Sequence, residues 1–296
     1  MKTLLLIALL HPCLLICAQE LDPSAQLASL KRLESQLKYQ KGDIDLKSGL
    51  AKLSLSEEFR YLSPTDADTE LVKLWGNPPG SKTLGMIVPA SQSVLDSQGW
   101  AVVITFDEDG YVKDSDADKI DYASLLKTMQ EGTREANKTR KERGYPEMEL
   151  VGWAAPPRYD KAARKLYWAK EISFVDQPSH TLNYNIRALG RRGVLVLNAV
   201  ANMQQFGQIE KAAPEIVKMV EFNPGNRYAD FDSKTDKVAA YGLAALVAGG
   251  IAAKAGLFKL LWVGLLAAKK FVVLGIIALV AFAKRLFGKR TDPTAT

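Results

Sequence analysis

Three short segments just past the middle of the chain decide the fold: KLYWAKEISFV (residues 165–175), TLNYNIRAL (181–189) and GVLVLNA (193–199). Each is rich in aliphatic and aromatic residues, which favour extended strands. The turns between them span only residues 176–179 and 190–192, and turns this short join antiparallel strands. The sequence therefore predicts an antiparallel meander at the C-terminal end of a folded domain.

Helical and extended segments flank this meander. A long helix is predicted over 121–143, where apolar residues recur on one face and Gly144 ends the run. Similar patterns predict strands at 84–88 and 100–106, a hairpin around 47–49, and helices at 64–74 and 201–220, the last interrupted near Pro214. Because strands and helices are segregated along the chain, the predicted fold class is α+β. It is a single domain with a mostly antiparallel sheet flanked by helices, rather than a doubly wound sheet.

The N-terminus has the pattern of an export signal. Lys2 is followed by an apolar run, and Ala18 precedes polar residues, so a signal peptide cleaved after Ala18 is predicted. Both cysteines, Cys13 and Cys17, lie in that signal. The mature chain would therefore contain no disulfide, thiol nucleophile or cysteine metal site. The predicted boundaries are 1–18 for the signal peptide, 19–42 for an N-terminal helix, 43–232 for the exported α+β domain and 238–288 for a C-terminal membrane anchor.

The anchor consists of three apolar stretches separated by lysines, each shorter than the roughly 20 residues that a membrane-spanning helix needs. One crossing near 239–259 is preferred, followed by a second membrane-associated helix. Two crossings would place the last basic residues outside, against the positive-inside rule. The predicted location is the bacterial inner membrane, with membrane lipid as a partner and the main domain in the periplasm.

Small residues recur every fourth position in the predicted crossing, a spacing that lets helices approach closely. They are Ala240, Ala244, Ala248, Ala252 and Gly256, with Gly249 in a neighbouring row. This pattern predicts a contact with another copy of the chain or with another inner-membrane protein. The alternative is an alanine-rich helix that has no fixed partner.

The formal net charge of +6 is concentrated in the tail. Residues 238–296 contain eight Lys or Arg and a single acid, Asp292, whereas residues 19–237 are close to neutral with a net charge of −2. The exported domain therefore has no excess of bases, and nucleic acid is excluded as a predicted partner.

Several longer motifs resemble those of a bacterial family of predicted membrane-anchored proteins of unknown function. The motifs are WGNPP (75–79), GYVKD (110–114), GWAAPPRYD (152–160), NYN (183–185), LGR (189–191), YADF (228–231) and TDKVAAYGL (235–243). The resemblance covers residues 40–288. It implies a Gram-negative envelope protein with a periplasmic domain and a tail in the inner membrane, and it implies no particular activity.

An acidic loop offers the only metal-like pattern in the sequence. Asp107, Asp109, Asp114 and Asp116 could supply oxygen ligands for Ca²⁺, but their spacing does not match an EF-hand. The preferred interpretation is a solvated turn whose carboxylates favour the N-terminus of the following helix. No metal and no cofactor are therefore predicted.

A second candidate site is the segment from Trp153 to Asp160. Arg158 could clamp an anion while Trp153 and Tyr159 stack on it. The preferred interpretation is structural, with Pro156-Pro157 stiffening a loop in which Arg158 pairs with Asp160. Other candidate interaction residues are Asn183, Asn185 and Arg191, which are interpreted as a polar sheet face and a turn.

Most catalytic classes lack their residues in this sequence. After signal cleavage His180 is the only histidine, and Gly-x-Ser-x-Gly, Walker and Gly-x-Gly-x-x-Gly motifs are all missing. The favoured hypothesis is a membrane-anchored, non-catalytic binding module that faces the periplasm, with no catalytic residue predicted. The alternative is a carboxylate-dependent envelope hydrolase or small-ligand enzyme centred on Arg158, Asp160, Asp114 and Asp116.

Overall fold

The computed structural model describes residues 23–248, except residues 78, 94, 97, 98 and 176. Its helices are α1 (Pro23–Ser35), α2 (Pro64–Thr69, continued by a π-helical turn over Glu70–Leu74), α3 (Tyr122–Glu142), α4 (Phe206–Met219) and α5 (Leu243–Ala248). Its strands are β1 (Tyr39–Gln40), β2 (Asp43–Leu46), β3 (Ala51–Ser54), β4 (Phe59–Leu62), β5 (Thr83–Pro89), β6 (Ala101–Asp107), β7 (Met148–Asp160), β8 (Lys165–Phe174), β9 (Thr181–Leu189), β10 (Val194–Asn202) and β11 (Val220–Phe222). The predicted signal peptide, 1–18, lies outside the described residues.

The predicted meander is confirmed. Strands β8, β9 and β10 pair antiparallel with their chain neighbours, and the β9–β10 register runs from Leu189 opposite Val194 to Thr181 opposite Asn202. The meander supplies three strands of an eight-stranded sheet in the order β1-β4-β5-β6-β10-β9-β8-β7. A second sheet has the order β11-β3-β2. The fold is therefore α+β with a large antiparallel sheet flanked by helices, as predicted.

The large sheet separates two apolar layers because successive side chains of a strand point to opposite faces. On β10, Leu195 and Leu197 face a core shared with α4 and the small sheet. Val194 and Val196 face the other side, where α3 and α5 pack. At the β4–β5–β6 end, α2 covers this second face. Each buried Leu or Val side chain contributes about 2 kcal/mol to folding, so both faces stabilise the sheet.

The prediction of a loop at Pro156-Pro157 is wrong, because both prolines lie within strand β7. This strand is at the edge of the sheet, where a proline without an N–H group costs least. Its pairing with β8 shifts register three times: between Leu150 and Gly152, between Trp153 and Ala155, and between Ala155 and Arg158. These irregularities accommodate the prolines and distort an edge that would otherwise be open to pairing with another strand.

Other elements differ from the predictions in detail. Helix α4 continues through Pro214 rather than breaking there, since its buried face, including Ile209 and Ile216, holds it against the sheet. The N-terminal helix ends at Ser35, before the predicted stop at Gly42. The hairpin around 47–49 and the long helix α3 are confirmed.

The C-terminal end of the described chain packs on the domain. Leu243 and Val247 of α5 are almost fully buried against the sheet. Ala240 is exposed, and Ala244 and Ala248 are partly exposed. Within residues 23–248, no helix combines the length and the hydropathy needed to span a bilayer. The other small residues of the predicted contact row, Gly249, Ala252 and Gly256, and the rest of the predicted anchor to residue 288 lie outside the described residues.

Candidate functional site

Two distant parts of the chain meet beside the second face of the sheet. We call them the acidic loop (residues 107–118) and the C-terminal segment (residues 237–248). The backbone N–H of Tyr111 donates to the carbonyl of Lys237 at 2.8 Å, and the N–H of Ala239 donates to the carbonyl of Tyr111 at 2.9 Å. Gly110 makes this approach possible, because its φ is +111° and a Cβ there would lie 2.6 Å from the Lys237 carbonyl oxygen.

The carboxylates of the acidic loop hold the C-terminal segment. Asp109 accepts the hydroxyl of Tyr241 at 2.8 Å. Asp116 accepts the backbone N–H groups of Leu243 at 3.2 Å and Ala244 at 3.4 Å. Asp116 therefore satisfies N–H groups in the first turn of α5 and places a negative charge at the positive end of its dipole. Gly242 lets the carboxylate approach, since a Cβ there would lie 2.4 Å from an Asp116 oxygen.

Apolar packing fixes α5 once it is capped. Leu243 and Val247 are at most 1% exposed, and Leu246 is 3% exposed. They pack in one cluster with residues of β8 and β10, including Trp168 and Val196. Burial of three such side chains contributes several kcal/mol, at about 1.5–3 kcal/mol each. The C-terminal segment is therefore part of the folded core of the domain.

Asp114 is the centre of a second set of contacts on the same loop. It accepts the hydroxyl of Tyr159 at 2.8 Å and that of Tyr228 at 3.3 Å, and it forms an ion pair with Arg164. The Arg164 guanidinium also lies 4.9 Å from the centre of the Tyr228 ring. Tyr111 stacks between Tyr228 at 4.4 Å and Phe231 at 4.0 Å. These contacts join the loop to β7, to the β7–β8 turn and to the 228–231 motif.

The surroundings of Asp114 keep this residue ionised and keep Tyr159 and Tyr228 protonated. Burial alone would raise the pKa of Asp114, but the Tyr159 hydrogen bond and the Arg164 charge together hold it below its ordinary value. Burial raises the pKa of Tyr159 and of Tyr228, and the Asp114 carboxylate adds to both effects. Asp114 therefore stays an acceptor and both phenols stay donors over the physiological range.

Arg191 is a third anchor point. Its Nε donates to Asp236 Oδ2 at 2.7 Å, and its guanidinium also donates to the carbonyl of Gly225 at 3.2 Å. The hydrogen bond from Arg191 lowers the pKa of Asp236, whose Oδ2 also accepts the N–H of Asp232 at 2.7 Å. The predicted interaction residue Arg191 therefore closes the 225–236 segment onto the sheet.

The structure separates the other candidate residues. Arg158 points to the opposite sheet face from its neighbour Tyr159, and its guanidinium lies 4.6 Å from the Tyr167 ring centre. Asp160 accepts the N–H of Ala163 in the β7–β8 turn at 2.9 Å. The alternative hypothesis of a hydrolase requires Arg158 and Asp114 to line one cleft. The two side chains lie on opposite faces of the sheet, so they do not form the predicted site.

Asn183, Asn185 and Trp153 also have structural contacts. Asn183 and Asn185 share one face of β9, and the Asn185 amide donates to Asn183 Oδ1 at 2.9 Å. The indole N–H of Trp153 donates to the carbonyl of Tyr122 at 3.4 Å, joining β7 to the start of α3. Across the described ranges, no group of three or more His, Cys, Asp or Glu side chains is placed to hold a metal ion.

Sequence reasoning missed Arg164 as a member of the site. Its φ of +55° places it in the tight β7–β8 turn, which positions its side chain against Asp114. The run Asp160 to Arg164 between two strand patterns was the available signal for that turn. A cavity of about 270 Å³ adjoins the cluster and is bounded partly by Arg164, Phe222 and Tyr228.

A larger cavity, of about 560 Å³, lies elsewhere, between α4 and the ends of β4 and β5. Its lining includes Glu58, Trp100, Lys211 and Glu215, and Glu215 accepts the hydroxyl of Ser56 at 2.7 Å. None of the residues singled out from the sequence lines this cavity.

Fold and site together define the class of protein: an α+β domain whose large antiparallel sheet is joined to its own C-terminal segment by the hydrogen bonds of Asp109 and Asp116. The chain belongs to a family of proteins of unknown function, DUF2167, whose model matches residues 38–280. This membership confirms the resemblance to an uncharacterised family.

No curated protein matches the chain. Solved structures with partial similarity include the PsbP protein of the cyanobacterium Synechocystis (12% identity, 63% of this chain and 92% of that one, TM-score 0.33). LpqN of Mycobacterium tuberculosis, described as involved in cell envelope biogenesis, is 14% identical over 68% of this chain and 97% of its own, with a TM-score of 0.31. The Ran-binding protein Mog1p of Saccharomyces cerevisiae is 9% identical over 66% and 100%, also with a TM-score of 0.31. Scores at this level do not establish a shared fold.

Proposed function

We propose that this protein is a non-catalytic binding module of the bacterial envelope. Its α+β domain, which includes residues 243–248 of the predicted anchor as the packed helix α5, would lie in the periplasm, and the remainder of the anchor, up to residue 288, would lie in the inner membrane. The observation that carries the proposal is the Asp116 cap on α5, which builds the start of the predicted anchor into the domain. A partner bound by the domain would then be held at a fixed distance from the membrane.

The contacts of the polar candidate residues support a binding role rather than a catalytic one. Asp109, Asp114, Asp116 and Arg191 each contact the C-terminal part of the chain. An active site instead needs a nucleophile or base directed at a space that a substrate can enter. These residues are hydrogen-bonded to other protein groups, which supports a role in fixing the domain to its tail.

An exposed apolar pair marks a surface where a partner could bind. Val175 is 74% exposed and Val151 is 41% exposed. Both lie at the β7 edge of the large sheet, since the N–H of Val175 donates to the carbonyl of Glu147 next to the start of β7. Because the β7 backbone is distorted, a partner would pack against these exposed apolar side chains rather than pair with the strand.

Site-specific photocrosslinking in intact bacterial membranes tests the proposal. A photoreactive residue at Val151 or Val175 of the full-length chain is expected to give a discrete adduct, either with a second copy or with another envelope protein. The matched control is Leu27, which is 49% exposed on α1 at the other end of the sheet. Adducts of equal yield at all three positions, or at none, would contradict a specific binding edge. Protease accessibility in spheroplasts checks the periplasmic location independently.

A further inference from the structure

A narrow apolar groove lies between α3 and the β7–β8 edge of the sheet. We call it the α3 groove. It has a volume of about 220 Å³, and Ala248 at the end of α5 closes one side. Its walls include Met129, Gly132 and Ala136 of α3 and Met148 and Leu150 of β7. None of these residues belongs to the acidic-loop contacts, so the groove is a separate feature.

The groove lies beside α3 where the helix presents two small residues, Gly132 and Ala136, next to the side chains that face the sheet. A Cβ added at Gly132 would meet nothing within 4 Å, so open space lies beside the helix there. No residue of α3 is fully buried, although the helix is 21 residues long. The amides of Gln130 and Asn137 hold α3 to the β7 backbone through hydrogen bonds at 3.2 Å and 2.8 Å. The helix is thus fixed at two points with a space between its side chains and the sheet.

A single charged side chain lines this apolar space. Lys170 of β8 has no hydrogen bond or ion pair with any residue that the structure describes. Burial lowers its pKa to about 8, and the positive charge of Arg187 lowers it further in the same direction. Lys170 is partly buried, and an ammonium that has lost part of its hydration without gaining an anion is destabilised. At neutral pH the groove therefore presents a positive charge that no described residue neutralises.

Among the residues that the structure describes, no carboxylate pairs with Lys170. The residues that line the groove include no Asp or Glu. The sequence that follows Ala248 has no acid before Asp292. The hydroxyls of Thr128 and Thr133 on α3 already donate to the carbonyls of Ser124 and Met129. The complementary ligand is therefore an external molecule with one negative charge and an aliphatic body.

We propose that the α3 groove binds a fatty acid, with the carboxylate paired to Lys170 and the first part of the alkyl chain between α3 and β7. One ammonium matches one carboxylate, and the aliphatic walls match a flexible alkyl chain better than a sugar or a phosphate group, which would need several donors. This site is distinct from the β7 edge in the proposed function, so either can fail without the other.

Photolabelling of the full-length chain tests the proposal. Membranes that contain the protein are incubated with a diazirine-bearing fatty acid, irradiated and digested, and the labelled peptides are identified by mass spectrometry. The label is expected on peptides covering residues 128–136 and 148–172. Decanoate should displace it, whereas decanol and inorganic phosphate should each displace it about tenfold less well.

Matched variants locate the site. Lys170→Met, which removes the charge, and Ala136→Leu, which fills the groove, should each lower labelling about tenfold, whereas Lys170→Arg should retain most of it. Equal displacement by decanol would mean that only apolar contact matters, and displacement by phosphate would mean a simple anion site; either result overturns the proposal. So would labelling that is insensitive to Lys170→Met or confined to other peptides. The competition series uses the unaltered chain, so it remains decisive if a variant misfolds.

Discussion

The carboxylate of Asp116 caps the helix that begins at Leu243, with its Oδ1 3.2 Å from the Leu243 backbone nitrogen. The two residues are 127 positions apart in the chain. The contact places a negative charge at the N-terminus of α5, where the helix dipole favours it. It also makes the acidic loop the element that fixes the start of the tail.

Replacing Asp116 with Ala should loosen α5 without unfolding the sheet. Loss of an N-cap costs about 1 kcal/mol, so the amides of Leu243 and Ala244 should exchange with deuterium about fivefold faster. Asp118→Ala is the matched control, because it removes the same charge from an exposed position in the same loop. Equal exchange rates in the two variants would show that Asp116 does not hold the helix.

Asp114→Asn should lower the free energy of unfolding by about 1–3 kcal/mol at pH 7. The substitution removes the negative charge that pairs with Arg164 and that accepts the hydroxyl groups of Tyr159 and Tyr228. Because the pKa of Asp114 is lowered in the folded state, its stabilisation is present above the unfolded value of about 3.9 and is lost as the pH falls through the folded value. The difference between the two proteins should therefore shrink below about pH 4.

Thermal unfolding of the full-length chain between pH 2 and pH 8, in steps of about one unit, measures this difference. Asp68→Asn serves as the control, because Asp68 is exposed on α2. It should show little effect at any pH. A stability difference for Asp114→Asn that does not change with pH would mean that the charge of Asp114 is not what stabilises the cluster.

Local patterns predicted the meander because its strands and turns are defined by residues close together in the chain. The contacts of the acidic loop could not be predicted in the same way. Asp109 and Tyr241 are 132 positions apart, and nothing in either motif specifies the other. The loop was interpreted as a solvated turn whose carboxylates favour the following helix. Asp121 does cap that helix, α3, but Asp116 caps the much later helix α5. Only the fold shows which helix a carboxylate caps.

Strand β7 was predicted as a loop for a different reason. Consecutive prolines favour loops, and the interpretation of residues 153–160 followed that preference. The edge position and the three register shifts of β7 tolerate the prolines, but both are properties of the finished sheet. Because successive side chains of a strand point to opposite faces of the sheet, Arg158 and Tyr159 lie on different sides and cannot form one site.

Glu70 should make the stability of the domain fall as the pH rises. It is fully buried in the π-helical turn after α2, where the Trp75 side chain stabilises its carboxylate only weakly and no described residue makes a well-formed hydrogen bond to it. Burial, with the negative charge of Glu34, raises its pKa to about 8. Because the pKa of Glu70 is higher in the folded state, its contribution to the free energy of unfolding is fully present below the unfolded-state pKa of about 4.3. That contribution declines as the pH rises and is lost once the pH passes about 8.

Glu70→Gln should remove most of this pH dependence. Relative to the unaltered protein, its free energy of unfolding should rise by roughly 2–4 kcal/mol between pH 5 and pH 9, as measured by thermal or denaturant unfolding. Glu34→Gln is an informative companion, because removing that charge should shift the midpoint of the decline to lower pH. Parallel stability curves for Glu70→Gln and the unaltered chain would show that Glu70 ionises as readily in the fold as outside it.

Gly110→Ala should separate the C-terminal segment from the acidic loop. The backbone at Gly110 has a φ of +111°, and the new Cβ would lie 2.6 Å from the Lys237 carbonyl oxygen and 3.1 Å from the Ala239 nitrogen. Strain and the displaced hydrogen bonds should together cost about 2–4 kcal/mol. Deuterium exchange at the amides of Tyr111 and Ala239 should increase more than exchange within β9.

Gly132→Ala is the control for that experiment, because it adds a methyl group where there is room for one. Gly132 lies within α3, its φ is outside the left-handed region, and a Cβ there meets open space, so the substitution should stabilise the protein by about 0.5–1 kcal/mol. If both variants changed stability alike, the effect would come from the unfolded chain. If only Gly110→Ala released Ala239, the close backbone contact at Gly110 would be what joins the domain to its tail.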